Sequence, residues 1–269
     1  MTPELKELLR LHEGVLRAVE LERAGIPRRV VDGLVELGKL KRHPRGVVAR
    51  PGAHPQWVTA RARGADLGCI SLASVHKLWV MDAPRIPHIV QRHSRTLGPY
   101  VTHRHRPGGQ LLNAVLDAFL CVPPMQSIMI ADAAVSTKQI SLTELKEEAG
   151  RARSPVVRGL VARVQPACGS YLESAARYIL EDAGYHVQVQ RYVEGLGRID
   201  LLVNGVLGIE LDGRAFHHTE IGFLEDRRRN NLYVIKGVPT LRITFQMVFS
   251  NPQEFLDLVG LALAELMPR

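Results

Sequence analysis

The sequence predicts a mixed α/β protein, and three observations support this fold class. In the last third of the chain, stretches with helical spacing of apolar residues alternate with stretches in which every second residue is apolar. The beginning of the chain combines short helical patterns with a basic hairpin. Hydrophobic residues make up 46% of the 269 residues, enough for a substantial core. We expect three domains, over residues 1–65, 66–165 and 166–269.

The first domain is predicted from the order helix, turn, basic helix, basic hairpin. Residues 4–20 carry a helical stripe of apolar side chains, Gly25 interrupts it, and Pro27 suits the first turn of a second helix that stops at Gly38. "KLKRH" and "VVARP" follow as short strands around a turn at 44–46. This order is typical of a winged helix-turn-helix, whose second helix enters the major groove of DNA. A helical hairpin with a solvated basic face is the alternative.

Basic residues at the start of the second helix and in the hairpin are the expected DNA contacts. They are Arg28, Arg29, Lys41, Arg42 and Arg45. From Gly169 onward the chain has 10 Lys+Arg against 13 Asp+Glu, whereas the first 168 residues hold 25 against 14. A basic excess confined to the upstream part suggests a polyanionic partner. A soluble basic surface without a partner is the other interpretation.

The middle segment, 66–165, gives weaker signals and is predicted as an α/β region of unknown role. His103 and His105 form a His-x-His pair that would bind a metal only with a third ligand, for which His88 or His93 is a guess. We favour an exposed basic edge. "SLTELKEEAG" predicts a capped helix that begins after Ser141.

Cysteine usage and hydropathy predict the compartment. Cys69, Cys121 and Cys168 are far apart and show no metal-ligand spacing, so we expect buried thiols in a reducing cytosol. The start "MTPELKELLR" is charged where a signal peptide needs an apolar run, and no stretch approaches the roughly 18 apolar residues of a membrane span. We therefore expect a cytoplasmic protein with no membrane partner. The oligomeric state stays open.

The last segment predicts a compact domain with the element order αβββαβα. "SYLESAARYILEDAG" is an amphipathic helix, and "YHVQVQRYV", "GRIDLLV" and "VLGIELD" are three strands. "TEIGFLEDRRRNNLYVIKG" is a helix that ends at Gly237. "PTLRITF" and "NPQEFLDLVGLALAEL" complete the order as a strand and a helix.

The turn between the second and third of these strands decides where three acids point. Asn204 and Gly205 form a strong hairpin signal. With a two-residue loop, Asp200 and Glu210 would face opposite ways. With a three-residue loop at 203–205, one face becomes apolar and Asp200 lies opposite a glycine that leaves open space. We favour the three-residue loop because it separates the apolar side chains from the acids. The second face of the hairpin then holds Asp200, Leu202, Gly208, Glu210 and Asp212.

Carboxylates held close together repel one another unless a cation neutralises them. Oxygen ligands suit Mg²⁺ or Mn²⁺, and Glu173 on the preceding helix is a further candidate ligand. A solvated strand edge and a surface helix acid are the alternatives. A metal beside a basic module points to phosphodiester hydrolysis. His217 would carry a proton, or His217 and His218 cap the next helix.

Residues 169–262 resemble the PD-(D/E)XK nuclease superfamily and, within it, the very-short-patch-repair (Vsr-like) endonucleases. The match runs through Glu173, "GRIDLL", "GIELDGRAFH", "FLEDRRRNNL" and "GVPTLRIT". The resemblance implies a restriction-endonuclease-like fold, Asp200 and Glu210 as metal ligands, and Glu173 supporting a metal-bound water. Asp212 stands where the superfamily commonly has a lysine. Vsr-like enzymes use a histidine near this place, which favours His217 as the group that activates the water. Vsr-like enzymes also carry a structural zinc site, which the three cysteines do not match.

Residues 1–60 look like the AbiEi-type winged-helix regulators, through "ERAGIPRRVVDGLVELGKLKRHPRGVV". Together the two resemblances imply a metal-dependent DNA endonuclease or nickase that an N-terminal module targets to DNA. Its role, whether repair, defence or toxin–antitoxin control, stays open. The alternative is a DNA-binding transcriptional regulator or antitoxin-like protein with an inactive nuclease fold. A third interpretation is a metal-free hydrolase that uses paired carboxylates. Arg227 and Arg228 would face phosphates, or form a solvated helix face.

Overall fold

The protein is mixed α/β, and its described residues form three small sheets. A computed structural model describes residues 1–91, 98–213, 228 and 230–266. The chain divides into two compact units, 1–121 and 122–269. Among the described helices, none is long and apolar enough to cross a membrane.

The first unit combines six described helices with two three-stranded sheets. Its helices are α1 (Pro3–Leu11), α2 (Ala18–Arg23), α3 (Arg28–Glu36), α4 (Pro55–Ala62), α5 (Cys69–Val75) and α6 (Gln110–Cys121). Its strands are β1 (Val15–Arg17), β2 (Lys41–His43), β3 (Val47–Ala49), β4 (Asp66–Leu67), β5 (His88–Gln91) and β6 (Val101–Arg104). The sheet orders are β1-β3-β2 and β4-β5-β6, and β5 and β6 run parallel.

The first sheet corrects the predicted continuous helix over residues 4–20. Helix α1 ends at Leu11, and Glu13 and Gly14 then take left-handed backbone conformations, with φ of 51° and 78°. The chain continues as β1, which pairs with β3. Val15 and Leu16 are fully buried there, so strand pairing satisfies their apolar side chains better than continued helix. The second helix and the basic hairpin lie at the predicted positions, as α3 and β2–β3.

The predicted boundary near residue 65 falls inside the first unit. Arg61 of α4 is buried and forms ion pairs with Glu20 of α2 and Asp66 of β4. Trp57 also belongs to a core cluster that includes residues from β1 and β5. The segments on either side of residue 65 therefore share one core. The assignment of separate roles to 1–65, 66–165 and 166–269 stays a prediction.

The second unit is built around a four-stranded sheet. Its helices are α7 (Pro124–Ser136), α8 (Leu142–Arg151), α9 (Pro155–Ala162), α10 (Tyr171–Asp182), α11 (Phe245–Phe249) and α12 (Pro252–Leu266). Its strands are β7 (Val187–Val193), β8 (Gly197–Val203), β9 (Leu207–Asp212) and β10 (Thr240–Thr244), in the order β10-β9-β8-β7. β7, β8 and β9 are antiparallel neighbours, whereas β10 runs parallel to β9. Residues 230–235 are helical.

A buried ion pair holds α10 against α7. Arg177 donates from Nη2 to Asp132 Oδ2 over 2.9 Å, and the Ser174 hydroxyl donates to the same oxygen over 2.6 Å. The Gln165 N–H donates to the other oxygen of Asp132 over 2.7 Å. Burial raises the pKa of the Asp132 carboxyl, although the Arg177 guanidinium acts in the opposite direction. This network fixes the helix that carries Glu173.

Replacing Arg177 with methionine tests this anchor. Arg177→Met removes the cation but keeps an aliphatic chain, so Asp132 is left buried without its charged partner. We expect the free energy of unfolding to fall by about 3–5 kcal/mol in urea denaturation. Arg151→Met is the matched control, because Arg151 pairs with Glu148 on an exposed helix face, where the loss should stay below about 1 kcal/mol. Equal losses in the two variants would contradict the anchoring role.

Candidate functional site

The turn between β8 and β9 sets the arrangement of the acids. Its register pairs Leu202 with Gly208 and Val203 with Leu207, so the loop is Asn204–Val206. Asn204 and Gly205 both have left-handed backbones, with φ of 50° and 76°. The predicted length of three residues is confirmed, but the loop lies one residue later than predicted.

The predicted sorting of side chains survives this difference. Leu202 pairs with Gly208 rather than with the predicted Val206, a shift of two residues. Because side chains alternate between the two faces of a strand, a shift of two leaves every residue on its predicted face. Ile199, Leu201 and Ile209 are completely buried on the apolar face. Asp200, Glu210 and Asp212 alternate with these residues along the strands and lie on the opposite face of the sheet.

The open space predicted beside Gly208 is not there. Gly208 lies opposite Leu202 rather than Asp200. A Cβ added to Gly208 would approach Thr240 Oγ1 to 2.8 Å, because β10 packs closely at this point. The Gly208 N–H also donates to Pro239 O over 2.9 Å. Glycine is needed here for the approach of β10, not for space at an acid.

A glutamine amide joins two of the predicted acids. Gln190 Nε2 in β7 donates to Glu173 Oε2 over 2.9 Å and to Asp200 Oδ1 over 3.2 Å. Gln190 has a φ of 53°, and the strand pairing with β8 is interrupted at this residue alone within the ladder. A left-handed non-glycine residue costs on the order of 1–3 kcal/mol and is typical of functional sites. No feature of "YHVQVQRYV" distinguishes Gln190 from Gln188.

Backbone and hydroxyl donors also hold these carboxylates. Glu173 also accepts the Gly169 N–H over 2.9 Å, and Asp200 Oδ2 accepts the Leu211 N–H over 3.0 Å. Glu210 Oε1 accepts the Tyr233 hydroxyl over 2.6 Å. Glu173 and Glu210 are only 7% and 8% exposed. Three acids from α10, β8 and β9 are thus fixed by neighbouring elements.

Asp212 has a cationic partner that the sequence analysis missed. Arg242 of β10 donates to both carboxylate oxygens of Asp212, from Nη2 over 2.6 Å and from Nε over 3.1 Å. Arg242 lies beside Glu210 in the parallel register of β9 and β10. A groove of about 490 Å³ adjoins this pair and is lined by Tyr233, Asn230 and Arg242, among others. The one signal in the sequence is a single charged residue inside the apolar strand "PTLRITF".

Some predicted residues lie elsewhere or outside the described part. His217, His218 and Arg227 belong to residues that the structure does not describe. Arg228 is exposed. The five basic residues predicted to contact DNA are all exposed in the first unit, as expected: Arg28, Arg29, Lys41, Arg42 and Arg45.

The basic helix start and the basic hairpin meet at one acid. Asp32 of α3 forms an ion pair with Arg42 of β2, and its Oδ2 lies 4.0 Å from Arg28 Nε. The Arg28 side chain is 89% exposed. Arg45 stands at the hairpin tip with a φ of 58°. The structure therefore brings Arg28 of the helix and Arg42 of the hairpin together at Asp32.

Among the residues that the structure describes, the closest group of metal-ligating side chains lies in the first unit rather than at the acids. Cys69, His88, His103 and Cys121 place their ligand atoms within 4.8 Å of one another. Within the described residues, Glu173, Asp200 and Glu210 do not form so close a group. Glu173 and Asp200 are joined through the Gln190 amide instead.

No family model matches the chain, and the curated proteins contain no match to it. The geometry of the site therefore carries the functional interpretation.

Replacing Gly208 tests the packing that sets Glu210 beside Arg242. Gly208→Ala adds a methyl group against Thr240 Oγ1, so we expect a loss of about 1–3 kcal/mol in unfolding free energy. In a Thr240→Ala background the added methyl has room, and the loss should fall below about 1 kcal/mol. Thr240→Val keeps a branched side chain of the same shape and should give no relief. The same loss in both backgrounds would mean that β10 does not approach Gly208 as described.

Proposed function

We propose that the chain is a metal-dependent DNA endonuclease or nickase. Its hydrolytic site would be the acidic face of β8 and β9 with Glu173, and its DNA contact would include the basic surface around Asp32. The observation that carries the proposal is the Gln190 amide, which holds carboxylates from two separate elements at one point. A strained residue in that position is hard to explain by packing alone.

The donor set fits a hard divalent cation. Glu173, Asp200 and Glu210 offer oxygen atoms only, the donors that Mg²⁺ and Mn²⁺ prefer. Among the described residues, the donors to the nearly buried Glu173 are the neutral Gly169 N–H and Gln190 amide. A buried carboxylate with neutral donors gains from a neighbouring cation. When bound, a divalent ion supplies Lewis-acid stabilisation of a scissile phosphate and a nucleophile at neutral pH.

The chain's own residues orient this set. The Leu211 N–H fixes Asp200, the Tyr233 hydroxyl fixes Glu210, and the Gly169 N–H fixes Glu173. Such outer partners limit the rotamers of metal-binding carboxylates and tune their affinity. The residues proposed to hold the ion are Asp200 and Glu210, with Glu173 at its water side. His217 is proposed as the proton carrier.

The contact with Arg242 offers a reason why position 212 is an aspartate. In the resemblance to PD-(D/E)XK nucleases this place commonly holds a lysine. Here the Asp212 carboxylate accepts two hydrogen bonds from Arg242, which lies beside Glu210. We assign to the Arg242 guanidinium the positive charge that the lysine ammonium would provide, with Asp212 as its positioning residue. Bidentate pairs of this kind fix a guanidinium firmly.

A second candidate function follows from the same pair. If Arg242 serves only to neutralise Asp212, the domain lacks the positive charge needed beside the water and is a nuclease fold without activity. The protein would then be a DNA-binding regulator. The exposed cations of α3 and the β2–β3 hairpin support DNA binding under both candidates, as in a winged helix-turn-helix.

Plasmid nicking separates the two candidates. We expect the purified full chain to nick supercoiled DNA in Mg²⁺ or Mn²⁺ and not in chelator. Asp200→Asn should lower the rate by at least about 100-fold, and Gln190→Ala by about 10–100-fold, the usual effect of an outer partner. Gln188→Ala, on the same strand, is the matched control and should keep the rate. DNA binding without any nicking would favour the regulator, and nicking that persists in Asp200→Asn would refute the assigned site.

The salt dependence of DNA binding tests the basic surface. Arg29→Ala and Lys41→Ala should each weaken binding of duplex DNA and reduce the slope of log K against log salt by roughly 1. Fluorescence anisotropy over a range of KCl concentrations measures both. Arg10→Ala removes an exposed arginine that pairs with Glu7 on α1 and should leave the slope unchanged. An equal change in Arg10→Ala would show that the surface around Asp32 is not the contact.

A further inference from the structure

Four metal-ligating side chains from separate elements meet in the first unit, outside the acidic site. Cys69 begins α5, His88 begins β5, His103 lies in β6, and Cys121 ends α6. Their ligand atoms all lie within 4.8 Å of one another. More than a dozen residues separate each of these four side chains from the next along the chain, so no short sequence motif predicts the group. The sequence predicts three separate buried thiols and an exposed basic edge at His103 and His105, with His88 only a guess as a further ligand. In the structure His88 and His103 instead lie beside two of the cysteines, and Cys121 is exposed.

The spacing of three of these atoms matches a tetrahedral zinc site, and Cys69 Sγ lies within 4.8 Å of each of them. With Zn–N of about 2.05 Å and Zn–S of about 2.3 Å, tetrahedral angles place two nitrogens about 3.4 Å apart and a nitrogen and a sulfur about 3.6 Å apart. His88 Nδ1 and His103 Nε2 are 3.3 Å apart. Cys121 Sγ lies 3.5 Å from His88 Nδ1 and 3.7 Å from His103 Nε2.

The backbone around Cys69 and His88 is built to bring these two residues together. The Gly68 N–H donates to His88 O over 3.0 Å, and the His88 N–H donates to Ser71 Oγ over 2.8 Å. A Cβ added to Gly68 would collide with the Val90 side chain. Cys69 itself has a left-handed backbone, with a φ of 45°. The start of β5 is thus bound across the first turn of α5, in a strained arrangement that packing alone does not require.

Asp117 lies behind the His103 ring, on the side away from the group. His103 turns Nε2 toward the group and Nδ1 toward Asp117, whose Oδ2 is 3.7 Å away, while Arg106 holds the other oxygen of Asp117 over 2.6 Å. A carboxylate behind a metal-bound histidine is a common way to fix the ring and its tautomer. His88 turns its Nδ1 toward His103 Nε2 and Cys121 Sγ. A coordinated Zn²⁺ deprotonates the cysteine thiols that bind it.

We propose that Cys69, His88, His103 and Cys121 bind one Zn²⁺ as a structural site. Two sulfur and two nitrogen ligands from the protein complete a tetrahedral shell, the arrangement of structural rather than catalytic zinc. The ion ties α5 and α6 to the parallel strands β5 and β6 and fixes the last residue of the first unit. The soft donors distinguish this site from the acids of the second unit, whose oxygens select Mg²⁺ or Mn²⁺. It stands whether or not the acids cut DNA.

Metal analysis of the full chain tests the proposal. Protein purified without a histidine tag from zinc-supplemented cells should contain about one zinc per chain by elemental mass spectrometry. Cys121→Ser and His103→Asn should lose the zinc. Cys168→Ser and His105→Asn are matched controls, because these residues lie outside the group, and both should keep it. Full zinc content in Cys121→Ser and His103→Asn would overturn the assignment.

A measurement on the unaltered chain covers variants that fail to fold. Cys121 is exposed, so its thiol should alkylate rapidly unless a metal holds it. In the zinc-loaded protein we expect Cys121 to alkylate slowly. Removal of the zinc with a chelator should make this alkylation fast and should lower the midpoint temperature of thermal unfolding. Replacement of zinc by Co²⁺ should give thiolate-to-cobalt charge-transfer absorption and the strong visible bands of a tetrahedral ion. Rapid alkylation of Cys121 in zinc-loaded protein, or a disulfide between Cys69 and Cys121, would refute the zinc site.

Discussion

The three-residue turn at Asn204–Val206 is the constraint on which the acidic face depends. Because side chains alternate along a strand, a loop one residue shorter would turn Glu210 and Asp212 toward the apolar core. Asn204 and Gly205 accept the left-handed backbone that this turn requires. Ile199, Leu201 and Ile209 reinforce the register, since their complete burial is lost with any slip by one residue. The turn and the core therefore specify the same register.

Around that face, the structure concentrates strain and buried charge. Gln190 leaves the ladder of β7 to reach two carboxylates, and the Asp132–Arg177 pair fixes the helix that brings one of them. Buried ion pairs contribute little net stability but are costly to break, so they are better understood as positioning devices. The same pattern recurs at Arg61 and at Cys69 in the first unit, where buried charge or backbone strain accompanies precise placement of polar atoms.

Local sequence patterns predicted much of this fold, but they did not predict which residues of distant elements contact one another. Asn-Gly and the alternation of β8 and β9 predicted the loop length and the sorted faces, because both are properties of a short stretch. The break at Glu13 was missed because Val15 and Leu16 also suit a helical stripe. Gln190, Arg242 and the cysteine–histidine group depend on which strands and helices become neighbours. Periodicity does not contain that information. It predicted that Gly208 leaves space beside Asp200, whereas the glycine is needed because β10 packs closely against it.

The measurement that bears most directly on the central claim is a crystal structure of the full chain soaked in Mn²⁺, with anomalous data collected at the manganese edge. The account predicts an anomalous peak shared by the carboxylates of Asp200 and Glu210, with Glu173 facing it. Well-ordered carboxylates with no anomalous density between them would contradict the account, as would Asp200 and Glu210 on opposite sides of the sheet.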